Sequence, residues 1–145
     1  MPTLVSSCLL GVACRYDGGH SLVEEIASKV GQVHVIPICP EQLGGLSTPR
    51  PPSNIVNGDG DEVLRGRARV INDRGEDVTE AFLKGARETL ALARLMGAKK
   101  ALLKDKSPSC GLRTPYCETD TGYGIGVTAA LLLREGIEVV EMITG

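Results

Sequence analysis

Aromatic side chains are scarce in this sequence. Its 145 residues include no tryptophan, one phenylalanine and three tyrosines. Proteins that bind single-stranded nucleic acid stack the bases on aromatic side chains. The formal net charge is −2, and no run of lysine and arginine offers a track for a phosphate backbone. The composition therefore argues against a protein that binds nucleic acid.

Long apolar runs and export signals are missing as well. No stretch approaches the roughly 20 apolar residues of a membrane-spanning helix. The opening MPTLVSSC superficially resembles a lipoprotein cleavage site, but it has no basic segment and only seven residues precede Cys8. We therefore expect a cytoplasmic protein that has no membrane segment and is a monomer or a small homo-oligomer.

Cysteine pairs of the C-x-x-C type, which mark many zinc and redox sites, do not occur. The chain has five cysteines, an odd number, and in a reducing compartment they should be thiols rather than disulfides. Such thiols are either small core side chains or ligands and nucleophiles. Their positions relative to the predicted strands help to choose between these roles.

What the sequence does contain is an alternation of short apolar runs with helical patterns. The predicted strands cover residues 3–7, 33–38, 67–72, 99–104 and 137–142, and the predicted helices cover 20–30, 77–96 and 127–136. Asp77 and Glu80 suggest a capping box for the longest helix, and the Pro/Gly-rich stretch 40–60 is expected to be a long loop. This alternation predicts an α/β fold, a single domain over residues 1–145 with a mostly parallel sheet flanked by helices.

Three cysteines follow three of the predicted core strands. Cys8 comes after the first, Cys39 after the second, and Cys110 after the strand over 99–104. The carboxyl ends of parallel strands lie along one edge of the sheet, where open α/β folds bind ligands, so these thiols are expected to meet there. Cys14 shares the first loop and is a possible fourth ligand, whereas Cys117 lies in a polar loop and is expected to be dispensable.

The chemistry of three such thiols leaves several interpretations open. They can be buried core residues, or they can bind zinc with help from a histidine or carboxylate. The two histidines are poor candidates, because His20 begins a predicted helix and His34 lies inside a predicted strand. Soft thiolate ligation suits an iron–sulfur cluster, in which three cysteines leave one iron open to substrate.

Polar groups are expected at the same edge of the sheet. The candidates for proton transfer or for holding a small polar ligand are Asp17, Glu41, Lys104, Ser107 and Ser109. Glu41 follows Cys39 by two residues, and Pro40 restricts the backbone between them. Asp17 can alternatively form an ion pair with Arg15 that fixes the first loop.

Four blocks of the sequence resemble the signature motifs of a small bacterial family that was long classed as a domain of unknown function and includes the thiouracil desulfurases. They are VSSCLLGVACRYDGG, PICPEQLGGLSTPRPP, DVTEAFLKGA and LLKDKSPSCG. The resemblance implies a [4Fe–4S] cluster held by Cys8, Cys39 and Cys110. It also implies an acid/base pair of Glu41 and a serine, with Ser109 preferred to Ser107. The chain departs from the family pattern at Asn54 and in the segment PYCETD, both in loops expected near the pocket.

The resulting hypothesis is an enzyme that removes sulfur from a small thiolated heterocycle such as 2-thiouracil. The open iron would hold the thiocarbonyl sulfur as a Lewis acid, and Glu41 or Asp17 would activate a water. Two alternatives stay open. One is a metal-free sulfurtransferase that carries a cysteine persulfide, and the other is a non-catalytic module that binds a metal or a cluster.

Overall fold

Four parallel strands form the central sheet of the protein, which is described by a computed structural model over residues 2–30 and 34–144. In chain order the strands are β1 (Thr3–Ser6), β2 (Val35–Ile38), β3 (Ser53–Val56), β4 (Arg69–Asn72), β5 (Lys100–Lys104) and β6 (Glu138–Met142), and the helices are α1 (Glu24–Ala27), α2 (Pro40–Leu43), α3 (Gly60–Leu64), α4 (Thr79–Met96) and α5 (Val127–Arg134). The order in the sheet is β2-β1-β5-β6, and every pair is parallel. The predicted α/β fold is therefore confirmed.

The order of the strands determines where a ligand can bind. β2 lies on one side of β1 and β5 on the other, so the connection after β1 runs toward β2 while the connection after β5 runs the opposite way, toward β6. Such a reversal opens a crevice beyond the carboxyl ends of the two central strands, because the loops that follow them diverge. The segments after β1 and β5 carry Cys8 and Cys110.

Apolar side chains on the two faces of the sheet pack against different parts of the chain. On one face Leu4 and Leu103 are fully buried with the apolar side of α4, including Phe82. On the other face Val5 packs in a smaller cluster with Leu9. Within residues 2–30 and 34–144, no helix is both long enough and apolar enough to cross a membrane.

The helix predicted over residues 20–30 is mostly absent. Only one turn forms, Glu24–Ala27, because the preceding backbone bonds elsewhere: the N–H groups of Ser21 and Val23 donate to the carbonyls of Cys8 and Leu9, both at 2.8 Å. Tertiary hydrogen bonds thus override the helical pattern. The strand predicted over 33–38 begins at Val35 among the described residues, and residue 33 lies outside them.

The stretch 40–60 is not the long loop that was predicted. It contains α2 and β3, and α3 begins at its end. β3 pairs antiparallel with β4 as a separate two-stranded sheet, so the predicted strand over 67–72 is a hairpin arm that starts at Arg69. A single helical turn and a strand that begins with the polar residues Ser53 and Asn54 leave no apolar pattern in this Pro/Gly-rich segment, which is why the sequence did not indicate them.

The long helix α4 begins at Thr79, two residues later than predicted, and the capping box is wrong. The Asp77 carboxylate accepts hydrogen bonds from the Thr79 N–H at 2.9 Å and from Arg69 Nε at 2.8 Å. It therefore ties the start of the helix to β4. Gly97 ends the helix in the left-handed conformation with a φ of 70°, as the sequence predicted.

The short helix α2 lies directly against the backbone of α4. A Cβ atom added to Gly85 would collide with the carbonyl of Pro40, and one added to Gly44 would collide with the carbonyl of Ala81. Two glycines thus allow the two backbones to touch. This contact fixes the position of Pro40 and therefore of the adjacent Glu41.

Candidate active site

A cavity of about 520 Å³ lies beyond the carboxyl ends of β1, β2 and β5. It is lined by thiols, hydroxyls and charged groups from segments far apart in the sequence. The lining thiols are those of Cys8, Cys14, Cys39 and Cys110, and the other polar side chains include Ser6, Glu41, Arg50, Lys104, Ser107 and Ser109. The three strand-end cysteines of the sequence prediction therefore share one cavity with four of the five predicted polar groups, namely Glu41, Lys104, Ser107 and Ser109.

Each cysteine is held by a local structure that follows its strand. Cys8 lies in a 3-10 turn, Ser7–Leu10, which Gly11 ends in the left-handed region with a φ of 92°. Cys39 is the residue immediately before α2, and Pro40 occupies the first turn of that helix. Cys110 lies in the loop between β5 and α5. All three are free thiols.

The fourth thiol, Cys14, is only 2% exposed and lies among the others. Its contact with the Cys39 thiol lowers the pKa of Cys14, but a contact with the Cys8 thiol and burial outweigh this and raise the pKa to about 11. The Cys39 thiol donates to the Cys14 carbonyl at 3.7 Å. The hydrogen bond with Cys14 and burial raise the pKa of Cys39 as well. Cys14 is thus more central than its place outside the strand ends suggested.

Cys110 has hydroxyl groups around its sulfur. Burial raises the pKa of the Cys110 thiol to about 12, although hydrogen bonds from Ser6 and Ser109 oppose the effect. The Ser6 hydroxyl lies 3.5 Å from the Cys110 sulfur and accepts from the Lys104 N–H at 3.0 Å. Hydroxyl donors of this kind stabilise a thiolate, the form in which a cysteine binds a metal.

The Glu41 carboxylate is held at both oxygens. Arg50 Nε donates to Oε1 at 3.0 Å, and the Ser109 hydroxyl donates to Oε2 at 3.1 Å. The side chains of Arg50 and Glu41 are only 5% and 15% exposed. Sequence reasoning missed Arg50, which stands in a proline-rich segment without any periodic signal. Its only sign was its place in the STPRPP part of a family-like block.

The two serines form a hydrogen-bonded chain whose direction can be deduced. The Ser107 hydroxyl accepts from the N–H groups of Ser109 and Cys110, at 3.1 and 3.0 Å. A hydroxyl oxygen has two acceptor positions and one proton. Ser107 must therefore donate its proton to the Ser109 oxygen, 2.9 Å away. The Ser109 proton is then directed to Glu41, which makes Ser109 the serine in direct contact with the carboxylate.

The loop that carries these groups is seated on the start of α5. The N–H groups of Val127 and Ala129 donate to the carbonyls of Pro108 and Ser109, at 2.9 and 3.0 Å. A Cβ atom on Gly126 would lie 2.7 Å from the Ser109 carbonyl carbon and oxygen. Only glycine permits this approach, so the helix start holds the backbone of Ser109 and Cys110 in place.

Comparison with known proteins explains why these features occur together. A family model described as 2-thiouracil desulfurase matches residues 3–142. The chain belongs to the 2-thiouracil desulfurase family. A relative, the uncharacterized protein YbbK of Bacillus subtilis (strain 168), is 47% identical over 141 residues, which are 95% of this chain and 93% of YbbK. The solved structure of the [4Fe-4S]-dependent thiouracil desulfidase TudS is also similar, with a TM-score of 0.80 and 36% identity over 97% of this chain and 89% of TudS.

The cavity of this desulfurase-family chain fits an iron–sulfur cluster by its donor set. Four thiols line it, and neither histidine does. Across the described residues, no three cysteine, histidine or carboxylate groups are arranged around the position of a single metal ion. The cysteines of an iron–sulfur cluster each bind a different iron, so they lie farther apart than the ligands of a single zinc ion.

Of the other predicted groups, Asp17 lies elsewhere than expected. Asp17 does not line the cavity: its carboxylate accepts from the Gly19 N–H at 2.9 Å and lies 3.7 Å from Arg15, the loop-fixing ion pair considered as the alternative. Lys104 lines the cavity as expected, and its ammonium donates to the Asp105 carbonyl at 3.0 Å. Cys117 is buried outside the cavity, and its thiol donates to the Thr114 carbonyl at 3.4 Å.

The two departures from the family pattern differ in position. Asn54 lies in β3 and does not line the cavity. Tyr116, in the PYCETD segment, does line it and is 49% exposed. Of these two departures, the PYCETD segment is therefore the one placed to affect which substrate enters.

Proposed function

We propose that this protein is a [4Fe–4S]-dependent desulfurase that hydrolyses the C=S bond of a small thiolated pyrimidine such as 2-thiouracil. The observation that carries the proposal is the meeting of Cys8, Cys39 and Cys110 in one cavity with the hydrogen-bonded pair Ser109–Glu41. The family, and the likeness to TudS, support the same chemistry. We further propose that the protein acts in the cytoplasm as a monomer or a small homo-oligomer.

Cys8, Cys39 and Cys110 would hold the cluster through their sulfurs, and Cys14 is the thiol left beside them. When bound, the cluster supplies an open iron that acts as a Lewis acid toward sulfur. Three cysteine ligands would leave one iron of such a cluster without a protein ligand and therefore open to a sulfur atom. The hydroxyl of Ser6 would support the Cys110 sulfur, because the Ser109 proton is directed to Glu41.

The protein's own residues would perform the proton transfers. Glu41 accepts a proton from the water that attacks the carbon of the C=S bond, and general base catalysis of this kind contributes about 10²–10⁴-fold in rate. Ser109 donates to the same carboxylate, so it can relay a proton between Glu41 and the substrate. The overall reaction exchanges sulfur for oxygen with water and releases sulfide, so it requires no oxidant or reductant.

The alternative of a persulfide carrier is disfavoured by the state of the thiols. A carrier needs an accessible thiolate with a lowered pKa. Here Cys110 is 5% exposed, and burial raises the pKa of its thiol to about 12. A non-catalytic cluster-binding module would have no use for the Ser109–Glu41 pair.

The test is purification and reconstitution without oxygen, followed by assay of iron, uracil and sulfide with 2-thiouracil as substrate. We expect a brown protein that forms uracil and sulfide in equal amounts. Cys110→Ser should lose both iron and activity, whereas Cys117→Ser, at a buried thiol outside the cavity, should keep both. Equal loss of iron in the two variants would refute the ligand assignment. If the cluster-loaded wild type turns over no thiolated pyrimidine, the proposal that the protein acts as a desulfurase on such compounds is refuted.

A further inference from the structure

Arg50 donates several hydrogen bonds within the site, but the reaction proposed above gives it no role. Its guanidinium donates from Nε to Glu41, from Nη1 to the Ser47 carbonyl at 3.2 Å and to the Thr48 hydroxyl at 3.0 Å, and from Nη2 to the Cys14 carbonyl at 2.9 Å. Its own N–H donates to the Tyr16 carbonyl at 2.7 Å. The residue as a whole is 9% exposed.

A buried guanidinium is stable only if a counter-charge and hydrogen-bond acceptors surround it, because removing a charge from water is costly. Glu41 supplies the counter-charge through Oε1, which leaves Oε2 for the Ser109 hydroxyl. Arg50 and Ser109 together therefore fix the rotation of the carboxylate. Without the Arg50 bond, Oε1 would lose its charged partner and the carboxylate would be free to turn.

The bond to Cys14 links the carboxylate to the thiols. The Cys14 carbonyl accepts both from Arg50 and from the Cys39 thiol, at 2.9 and 3.7 Å. One planar guanidinium thus connects Glu41 on α2 with the loop that follows β1. A lysine ammonium is a single point charge and cannot present donors in a fixed fork to these separate acceptors.

We infer that Arg50 is a positioning residue for desulfuration: it acts through Glu41, holding the carboxylate in register with Ser109 and with the Cys14 loop. The inference rests on the proposed function. A positioning role differs from a purely structural role in one respect: the effect of Arg50 on turnover must pass through Glu41. That difference can be measured.

The experiment is a double-mutant cycle on cluster-loaded protein with Arg50→Met, Glu41→Gln and the double variant, with Arg50→Lys as the conservative replacement. The matched control is Arg67→Met, at an arginine whose side chain is 66% exposed and which lies outside the cavity. Per bound cluster, we expect Arg50→Met to lower kcat by about 10–100-fold with KM changed by less than about 3-fold. Arg50→Lys should recover only part of this loss, since one ammonium replaces a fork of donors.

The decisive comparison is made in the Glu41→Gln background, where Arg50→Met should lower kcat by less than about 3-fold further, because interacting residues are not additive. Full additivity would overturn the inference, and so would a loss of activity in Arg50→Met that merely parallels its loss of iron. Either result would make Arg50 a structural residue only.

A second readout uses the apoprotein and no substrate. Breaking one partner of a buried pair should raise the unfolding equilibrium constant by about 10²–10³-fold in Arg50→Met, and the double variant should be more stable than the sum of the single losses predicts. Independent losses in urea unfolding would refute the ion-pair coupling whatever the activity shows. A different outcome is that the stability losses of the Arg50 and Glu41 variants are coupled in the apoprotein while the cluster-loaded wild type is inactive. That outcome would refute the proposed reaction, and with it the catalytic part of the inference.

Discussion

The direction of the Ser107–Ser109–Glu41 chain leads to a prediction that separates two adjacent hydroxyls. In Ser109→Ala the carboxylate loses the hydroxyl that donates to Oε2 at 3.1 Å. A hydrogen bond to a charged group contributes about 1.5–3 kcal/mol. If that bond is used in the transition state, kcat should fall by about 10–150-fold, because each 1.4 kcal/mol is a factor of ten.

Ser107→Ala should behave differently. Ser107 makes no bond to Glu41, and in its absence Ser109 keeps its proton for the carboxylate. What is lost is the acceptor for the N–H groups of Ser109 and Cys110. Leaving buried donors without a partner costs about 1–3 kcal/mol each, so this variant should lose stability and cluster content. Its kcat per bound cluster should fall less than about 10-fold.

The assay measures the rate of uracil formation from 2-thiouracil without oxygen, divided by the iron content of each variant. The urea midpoint of unfolding of each apoprotein is measured in parallel. Cys117→Ser serves as the control, since it changes a buried hydrogen-bonding side chain that lies outside the cavity. If Ser107→Ala loses more kcat per cluster than Ser109→Ala, the deduced direction of the chain is wrong. Equal losses would show that the two hydroxyls act as one unit.

Three further outcomes are expected. The Cβ of Gly126→Ala would lie 2.7 Å from the Ser109 carbonyl and should displace the loop. We expect a lower Tm and a kcat that falls by at least about tenfold. Wild-type kinetics in this variant would contradict the contact. Removal of the cluster with a chelator should abolish desulfuration but leave the far-UV circular dichroism unchanged, because the sheet core around Leu4 and Leu103 is built without it; unfolding on iron loss would contradict this. The hydrogen bond with Arg69 is the largest cause that lowers the pKa of the Asp77 carboxyl to about 2, and hydrogen bonds with Thr79 lower it further. The ionised carboxylate therefore contributes stability to the fold above about pH 4, and this contribution is lost as the pH falls through about 2. Asp77→Asn should therefore be less stable than wild type at pH 7 in urea titrations, with the gap closing below pH 2; a gap that widens on acidification would reverse the sign.

The fold could be predicted largely because its main elements are apolar and regular. The strands that end near Cys8 and Cys39 are short β-branched runs, and α4 repeats apolar residues over 18 positions. The helix predicted over 20–30 is mostly absent because backbone N–H groups of this segment donate to carbonyls of the turn after β1. Such a competition depends on which segments become neighbours, and a local pattern contains no information about that.

The candidate site was predictable where it depends on strand ends and not where it depends on loop paths. Cys39 and Glu41 share a strand end and one helical turn, so sequence proximity placed both. Arg50 reaches Glu41 only because the chain after α2 folds back through a proline-rich segment. Asp17 was expected at the site, but bonds to Gly19 and Arg15 within its own loop hold it outside.

The backbone contact between α2 and α4 limits how this enzyme can be engineered. Because Gly85 touches the carbonyl of Pro40, any larger residue there would push Glu41 away from Ser109 without changing a single cavity-lining side chain. A mutant library aimed at new substrates should therefore hold Gly44 and Gly85 constant, although both lie outside the cavity. Diversity is better placed at Tyr116, which lines the cavity and is half exposed. Variants chosen in this way can change what enters the cavity while the carboxylate stays in place.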